Sequence, residues 1–505
     1  MSIPQSAPGL GPGPLDRRRA GVLLHPTSLP GPGLGGDLGP EAHRFLELLR
    51  RGGLSVWQVL PLGPTHADGS PYLAQSVRAG NPALISLELV AACAWAPPAS
   101  ALETGSGEHT VSSRHQVFGQ CAERFAALAD TGEREAYAAF RQRQSDWLED
   151  YALYQVLRSA AGDRAWWHWP ESLRDRESNA LASARRSHRL ALEAVRFEQF
   201  LFYQQWQALR RAANTGGVLM FGDLPLFVAH DSADVWAEPA AFRLGPDGLP
   251  TVVAGVPPDA FSATGQHWGN PHYDWVYHRR NDFAWWRRRL ATELERCDLL
   301  RLDHFRGLQT CWEIPADCDT ALEGCWVPAP GAELLAAARA HLGALPLVAE
   351  DLGVITPEVL ALRDRFQLPG MKILQFAFDS DASNPYLPHN LEPNSVIYTG
   401  THDNDTSAGW WAALPEERRA RVLEYLGCGS APMPEALMRC AMGTVSRLAI
   451  LPMQDLLGLD SSHRMNVPGT AEGNWRWRLR WEQVDPGLSE QLHHWAELYG
   501  RVAPD

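Results

Sequence analysis

The chain has 505 residues, 45% hydrophobic and 21% charged, and its 59 acidic residues against 45 basic ones give a net charge of −14. This is the composition of a globular protein long enough to bury a large core. The acidic balance argues against a dedicated nucleic-acid-binding protein, which needs clustered cations to contact phosphates. Lys372 is the single lysine, so Schiff-base chemistry has one candidate residue.

The sequence predicts a cytoplasmic protein without membrane spans. Its first 20 residues lack the charged start and long apolar run of a signal peptide, and no run approaches a transmembrane helix in length. The 8 cysteines form no C-x-x-C pair. Cys311, Cys318 and Cys325 recur every seven residues, but no histidine follows at ligand spacing. We therefore expect free thiols and no metal site there.

Short apolar runs that end in polar or Gly-containing turns predict buried strands. These runs are residues 20–26, 54–63, 217–225, 298–307, 346–353, 372–378, 395–404 and 448–456. Helical segments lie between several of them, at residues 40–53, 281–297, 331–343, 356–366 and 414–427. This alternation predicts an α/β fold with a parallel sheet, and eight strands favour a closed (β/α)8 TIM barrel. The alternative is an open doubly wound sheet, but no G-x-G-x-x-G follows the first strand.

Two connections are too long for ordinary loops between a strand and a helix. Residues 64–216, after the second strand, contain Trp- and Arg-rich helical stretches and predict a mainly helical insertion. Residues 225–271, after the third strand, are rich in Gly, Pro and Asp and predict a loop-rich insertion. We therefore predict one catalytic barrel domain over residues 1–505, with two inserted subdomains.

Functional groups of such a barrel lie at the carboxyl ends of its strands. The polar residues there are Asp223, Arg301, Asp303, His304, Arg306, Glu350, Asp351, His402, Asp403 and Asn404. Three interpretations compete: a metal site, a carboxylate pair for glycoside chemistry, and a structural ring of ion pairs. The first strand carries only His25, not the H-x-H typical of metal enzymes with this fold. Aromatic residues near the predicted mouth, including Tyr72 and Trp268, favour a sugar ligand, because sugar rings stack on aromatic faces.

The runs LRLDHFRG (300–307), VAEDLGVITPE (348–358) and YTGTHDNDT (398–406) occur in this order. They resemble the signature of the 4-alpha-glucanotransferases, also called amylomaltases or disproportionating enzymes, of glycoside hydrolase family 77. Similar runs cover nearly the whole chain, among them GVLLHPTSLPG, WQVLPLGPT, AGVPPDAFSATGQHWGNP, RMNVPG and GNWRWR. The resemblance implies an enzyme of starch or glycogen metabolism that cleaves an alpha-1,4-glucan. It would transfer the glucan to the 4-hydroxyl of glucose or a maltooligosaccharide by retaining double displacement.

The same resemblance implies a role for each matching residue. Asp303 is expected to be the nucleophile, Glu350 the general acid/base and Asp403 the carboxylate that holds sugar hydroxyls in the transition state. The implied substrate contacts are Arg301 and His402 around the donor sugar, Asp223 and Tyr72 beside them, and Gln266 and Trp268 on a loop over the cleft. No metal or other cofactor is expected.

The loop at residues 255–269, with Phe261 and Trp268 within it, is predicted to be a lid that excludes water from the covalent intermediate. We expect a monomer or weak dimer, with no nucleic-acid or membrane partner. Two alternatives stay open at this point. One is an alpha-amylase-like hydrolase with the same carboxylates, and the other is a carbohydrate-binding protein that kept the fold without catalysis.

Overall fold

Eight parallel strands close into a barrel in the computed structural model, which describes residues 13–31, 35–98, 111–258, 262–429, 432–470 and 472–502. In chain order the strands are β1 (Arg19–Leu23), β2 (Val56–Gln58), β3 (Leu219–Leu224), β4 (Val252–Val256), β5 (Gln266–Pro271), β6 (Leu299–Leu302), β7 (Thr310–Pro315), β8 (Cys325–Pro328), β9 (Leu347–Ala349), β10 (Gly370–Ile373), β11 (Ser395–Tyr398) and β12 (Leu448–Pro452). The barrel order is β1-β12-β11-β10-β9-β6-β3-β2, which confirms the predicted (β/α)8 fold.

Helices surround the barrel and fill the insertion before β3. Their bounds are Pro40–Arg51, Leu87–Ala91, Val111–Leu128, Thr131–Arg143, Leu148–Ala160, Glu171–Arg174, Ser178–Ser187, Arg189–Thr215, Ala233–Ala237, Trp275–Arg280, Ala284–Arg296, Gly331–Leu342, Pro357–Arg365, Ser407–Ala413, Glu416–Leu426, Met433–Gly443, Met453–Leu456 and Leu488–Leu498. Within the described ranges, no helix is both long and apolar enough to cross a bilayer.

The barrel strands are buried on both sides, which explains why they appear in the sequence as near-continuous apolar runs. Every residue of β11 and of β12 is buried. The predicted run 372–378 is shifted: β10 starts at Gly370, and Leu374–Phe376 forms a turn of 3-10 helix. The chain turns there because Gln375 bonds the loop after β11, its N–H to the Thr399 carbonyl and its side-chain amide to the Asp405 carbonyl.

The last helix of the segment between β2 and β3, Arg189–Thr215, packs directly on the barrel. Its Trp206 indole donates a hydrogen bond of 3.0 Å to the Arg296 carbonyl. Its Arg210 pairs with Asp298 at 2.6 Å, just before β6. This helix therefore occupies the position of the barrel helix between β2 and β3, and the preceding helices stand outside it.

A four-stranded antiparallel sheet, in the order β5-β4-β7-β8, stands beside the mouth of the barrel. The sequence analysis expects loops where β4 and β5 form and assigns no strand to β7 or β8. Among the described residues, Val253, Ile314 and Ala321 form a small separate buried cluster at this sheet, and β8 is mostly exposed. The strands β5, β7 and β8 are only partly buried and carry no clear hydrophobic period. In β4 three of five residues are buried, and the sequence analysis missed this short apolar run.

Candidate active site

Three carboxylates meet at the mouth of the barrel. Asp303 directly follows β6, Glu350 directly follows β9, and Asp403 lies in the turn after β11. In the register of β6 and β9, Leu302 pairs with Ala349. Asp303 and Glu350 are therefore the next pair along two neighbouring strands, which lie about 4.8 Å apart in a sheet.

A buried arginine, Arg301, contacts both Asp303 and a further aspartate, Asp223, at the end of β3. Arg301 Nη1 lies 2.8 Å and 3.0 Å from the two carboxylate oxygens of Asp223. Its Nη2 lies 2.7 Å from Asp303 Oδ1. The Asp223 side chain is fully buried, whereas that of Asp303 is 27% exposed. Arg301 thus fixes the Asp303 carboxylate from below and leaves its other oxygen toward the cleft.

Three aromatic rings, those of Tyr72, His402 and Trp475, lie together at the site. The Tyr72 hydroxyl donates to Asp223 Oδ2 at 2.8 Å. The Tyr72 ring stacks on His402, with centroids 5.1 Å apart and planes 16° apart, and Trp475 lies 6.0 Å from both. The Trp475 ring is tilted by 40° to Tyr72 and by 37° to His402, and the three rings form a wall beside Asp403. Burial raises the pKa of Tyr72 well above its usual value, so this hydroxyl stays protonated and acts as a donor.

Glu350 is held by backbone N–H groups at both carboxyl oxygens. The amide of His304 donates to Oε2 at 2.7 Å, and that of Leu352 donates to Oε1 at 3.2 Å. Burial raises the pKa of Glu350 to about 8, while the Arg301 charge opposes that rise and the Asp303 charge adds to it. A carboxyl with this pKa is mostly protonated at neutral pH. Glu350 therefore has the protonation state of a general acid.

Asp403 has the opposite electrostatic environment. Burial opposes its ionisation, but His402 Nε2 at 3.3 Å and Asn466 Nδ2 at 2.7 Å outweigh that effect and lower the pKa of Asp403. Arg464 Nη2 also holds its backbone carbonyl at 2.8 Å. The side chain is 44% exposed and stays charged. An ionised carboxylate of this kind can accept hydrogen bonds from sugar hydroxyls.

Gln266 and Trp268 lie on β5, at the edge of the antiparallel sheet. The Trp268 indole donates to Gln266 Oε1 at 3.1 Å, and its ring meets that of His304 edge to face at 4.9 Å. Gly255 of the predicted lid lies inside β4, where a Cβ would come within 2.1 Å of the Gln266 carbonyl. It therefore permits close strand pairing and is not a hinge. Phe261 lies outside the described residues.

The chain is similar in sequence and in fold to known proteins. The family model described as 4-alpha-glucanotransferase, glycoside hydrolase family 77, matches residues 24–484. The chain belongs to the 4-alpha-glucanotransferase family. The 4-alpha-glucanotransferases of Synechocystis and Thermus thermophilus are each 47% identical to it, over 96% of this chain and 99% of theirs. The amylomaltase of Streptococcus agalactiae in complex with acarbose superposes with a TM-score of 0.92 at 36% identity, over 96% of this chain and 100% of that one.

Membership of the 4-alpha-glucanotransferase family confirms the sequence prediction of the family, the enzyme class and the transfer reaction on alpha-1,4-glucan. This reaction is glycoside chemistry, the second of the three interpretations of the mouth. Within the described part of the chain, no group of three or more His, Cys, Asp or Glu side chains is arranged to hold a metal ion.

The structure brings together every residue that the sequence analysis selected for a 4-alpha-glucanotransferase site, on β2, β3, β5, β6, β9 and β11 or the loops after them. It adds residues for which no role was predicted: His304 beside Glu350, Asn466 and Arg464 beside Asp403, and Trp475 beside Tyr72. The signal for the last three was present, since RMNVPG and GNWRWR carry the resemblance. However, these runs follow the last barrel strand, and their return to the mouth is a tertiary contact.

Proposed function

We propose that Asp303, Glu350 and Asp403 carry out the transfer in two steps. In the first step an Asp303 oxygen attacks the anomeric carbon while Glu350 gives its proton to the glycosidic oxygen. The bond to the leaving glucan breaks, and the donor stays on Asp303 as an ester. In the second step the 4-hydroxyl of an acceptor gives its proton to Glu350 and displaces Asp303. Two inversions at one carbon retain the alpha configuration.

The observation that carries this proposal is the adjacency of Asp303 and Glu350 at the ends of β6 and β9, with Leu302 and Ala349 as the preceding pair in register. Retaining enzymes need their two carboxyls about 5–5.5 Å apart, close to the spacing between neighbouring strands. The unequal environments then divide the roles. Arg301 at 2.7 Å holds and orients the nucleophile, and burial favours the protonated acid.

The donor sugar is proposed to bind between Asp303 and the wall of Tyr72, His402 and Trp475. Asp403 would accept hydrogen bonds from the sugar hydroxyls, and His402 would donate one to them. Asp223 would hold Tyr72 and Arg301 in place and so act on the sugar indirectly. Asp403 is already ionised and fixed by Asn466, so it needs little rearrangement as positive charge develops on the sugar ring. The acceptors are proposed to be glucose and maltooligosaccharides, which would enter on the Glu350 side.

Incubation with maltotriose tests the proposed function. Transfer yields products both longer and shorter than the substrate, with the number of glycosidic bonds unchanged. An amylase-like hydrolase would yield shorter products only, with a rise in reducing ends. A protein that only binds sugar would leave maltotriose intact. Size analysis of the products, together with reducing-end counts, distinguishes the three results.

The pH dependence of transfer follows from Glu350. We expect kcat/KM for a glucan donor to fall as the pH rises through about 8, because ionised Glu350 has no proton to give. A maltosyl fluoride donor needs no such proton, so the rate of fluoride release from it should stay level through the same range. Parallel pH profiles for the two donors check this. If the rates with both donors fall over the same alkaline range, a group other than Glu350 causes that fall.

We further propose that the described part of the predicted lid, residues 255–258 and 262–269, covers the acceptor side of the cleft. The proposal is supported by Trp268, whose contact with His304 places a large apolar ring beside the acid/base. Such a cover would exclude water and let a held acceptor compete for the ester on Asp303. The helical insertion at residues 64–216 would be the opposite wall, since it carries Tyr72.

Trp268→Ala should raise hydrolysis relative to transfer by several-fold, because water then reaches the intermediate. The measurement is free glucose formed per transfer event, with the melting temperature determined alongside. Trp326→Ala is the matched control, since it removes a tryptophan from β8, at the opposite edge of the same sheet from β5. If both variants lose stability and keep the wild-type product ratio, Trp268 has no role in excluding water.

The cellular location and assembly are also proposals. All eight cysteines are free thiols, as expected of a protein in a reducing cytoplasm. The expected monomer or weak dimer stays a prediction, for which light scattering at several concentrations is the measurement.

A further inference from the structure

The residue after the nucleophile has an uncommon backbone conformation. His304 has φ 52° and ψ 48°, in the left-handed region that residues with a side chain rarely occupy. Such conformations persist only where the surrounding structure enforces them, and they cluster at functional sites.

The bend at His304 directs consecutive backbone N–H groups to fixed partners. The N–H of Asp303 donates to the Leu224 carbonyl of β3 at 3.0 Å. The N–H of His304 donates to Glu350 Oε2 at 2.7 Å, and that of Phe305 donates to the Glu350 carbonyl at 3.1 Å. Both the main chain and the carboxyl of Glu350 are therefore tied to the segment that carries the nucleophile.

The His304 ring holds the bend in place. It meets Trp268 edge to face at 4.9 Å, and it lies over Gly307, where an added Cβ would come within 2.9 Å of the ring. Its Nε2 is buried and has no hydrogen-bond partner among the described residues. Burial lowers the pKa of His304 to about 4, so the ring is neutral at neutral pH and does not itself supply charge.

The two oxygens of Glu350 are not equivalent in this arrangement. Oε2 accepts a short hydrogen bond of 2.7 Å from the His304 N–H. Oε1 accepts a longer one of 3.2 Å from the Leu352 N–H. In a protonated carboxyl the carbonyl oxygen is the better acceptor and the hydroxyl oxygen the poorer one. The short bond therefore favours Oε2 as the carbonyl oxygen, with the proton on Oε1.

We infer that His304 is a positioning residue whose left-handed backbone holds Glu350 Oε2 and so makes Oε1 the oxygen that delivers the proton. In the first step the Oε1–H bond breaks as the proton passes to the leaving oxygen. The charge left on the carboxylate is then shared with Oε2, where the His304 N–H stabilises it. This inference rests on the proposed role of Glu350 as acid/base.

Removal of this N–H should also change the titration of Glu350. A donor to the ionised form favours that form, so its loss shifts the alkaline limb of activity to higher pH. The other groups that act on Glu350 are Arg301 and Asp303 from β6, Asp351 from its own loop, and Tyr386 from the connection after β10. A substitution at His304 replaces none of these side chains.

The test compares His304→Asn with His304→Val. Both remove the imidazole and are similar in size, but asparagine tolerates the left-handed region and a β-branched residue does not. Relative to the Asn variant, the Val variant should transfer from glucan roughly ten-fold more slowly, the effect of one charge-assisted hydrogen bond. Its initial burst of fluoride from maltosyl fluoride should match that of the Asn variant, and its alkaline limb should lie at higher pH.

Gln367→Val is the matched control, because Gln367 has φ 57° in an exposed turn before β10, at the other end of the barrel. It introduces the same backbone strain. It should change neither the ratio of the glucan transfer rate to the fluoride burst nor the pH profile of activity. If His304→Val does not fold, His304→Ala takes its place, since alanine lacks the short polar side chain that helps asparagine tolerate the left-handed region.

Equal losses on both donors, or an unmoved alkaline limb, would overturn the role of His304. Glu350→Gln distinguishes that failure from a failure of the proposed function. Suppose that Glu350→Gln is slow on glucan and fast on maltosyl fluoride, while the two His304 variants have equal rates on glucan. In that case only the positioning role of His304 is wrong. If Glu350→Gln shows no such response, the acid/base assignment itself is wrong.

Discussion

Asp303→Asn is expected to reduce transfer by roughly four orders of magnitude or more, since an amide oxygen is a very poor nucleophile at an anomeric carbon. The fold should survive. Asp303 is 27% exposed, and Arg301 keeps two contacts to Asp223 when its bond to Asp303 is weakened. The measurement is the rate of maltotriose disproportionation by the purified variant, with its melting temperature beside it.

Asp298→Asn is a matched control at the opposite end of β6. Asp298 pairs with Arg210 at 2.6 Å and accepts the Met220 N–H at 2.8 Å, so this change should cost stability and leave turnover nearly intact. Mass spectrometry adds a direct test, because wild-type enzyme treated with a slow fluorinated donor should carry a sugar on Asp303. Near-wild-type activity in the folded Asn variant, or a label on another residue, would reject the nucleophile assignment.

Glu350→Gln is expected to slow transfer between natural glucans by roughly 10²–10⁴-fold, the usual contribution of a general acid/base. The amide can still accept the His304 N–H, so the local structure should persist. Because fluoride leaves without a proton, the burst of fluoride from maltosyl fluoride should remain close to that of the wild type. The second half-reaction should stay slow, since the acceptor hydroxyl then lacks a base.

Two measurements separate catalysis from binding in this variant. Rapid-quench analysis of the fluoride burst reports the first half-reaction alone, and added azide, which needs no base, should restore turnover as glycosyl azide. Retention of the alpha configuration in that azide would show that the covalent intermediate still forms. If glucan and fluoride donors suffer equally and azide has no effect, Glu350 contributes binding and the acid lies elsewhere.

Much of the barrel could be predicted from sequence because each barrel strand is buried on both faces. The runs at residues 395–404 and 448–456 contain β11 and β12, in which every residue is buried. The helix ends were also close. Pro357 begins a helix after Thr356, and Gly427 ends another in the left-handed region, as these residue types favour.

The sequence alone determined the chemical groups at the mouth, because carboxyl ends of parallel strands must meet at one edge and Asp303, Glu350 and Asp403 follow such strands. Only the tertiary structure decided the burial, the pKa and the hydrogen-bond partners of those groups. The burial that gives Glu350 its raised pKa, the Asn466 bond to Asp403 and the sheet that carries Trp268 all depend on contacts between segments far apart in the chain. Local patterns record which residues are apolar and where strands end. Long-range contacts set the dielectric environment and hydrogen-bond partners of each carboxylate, and no local period encodes them.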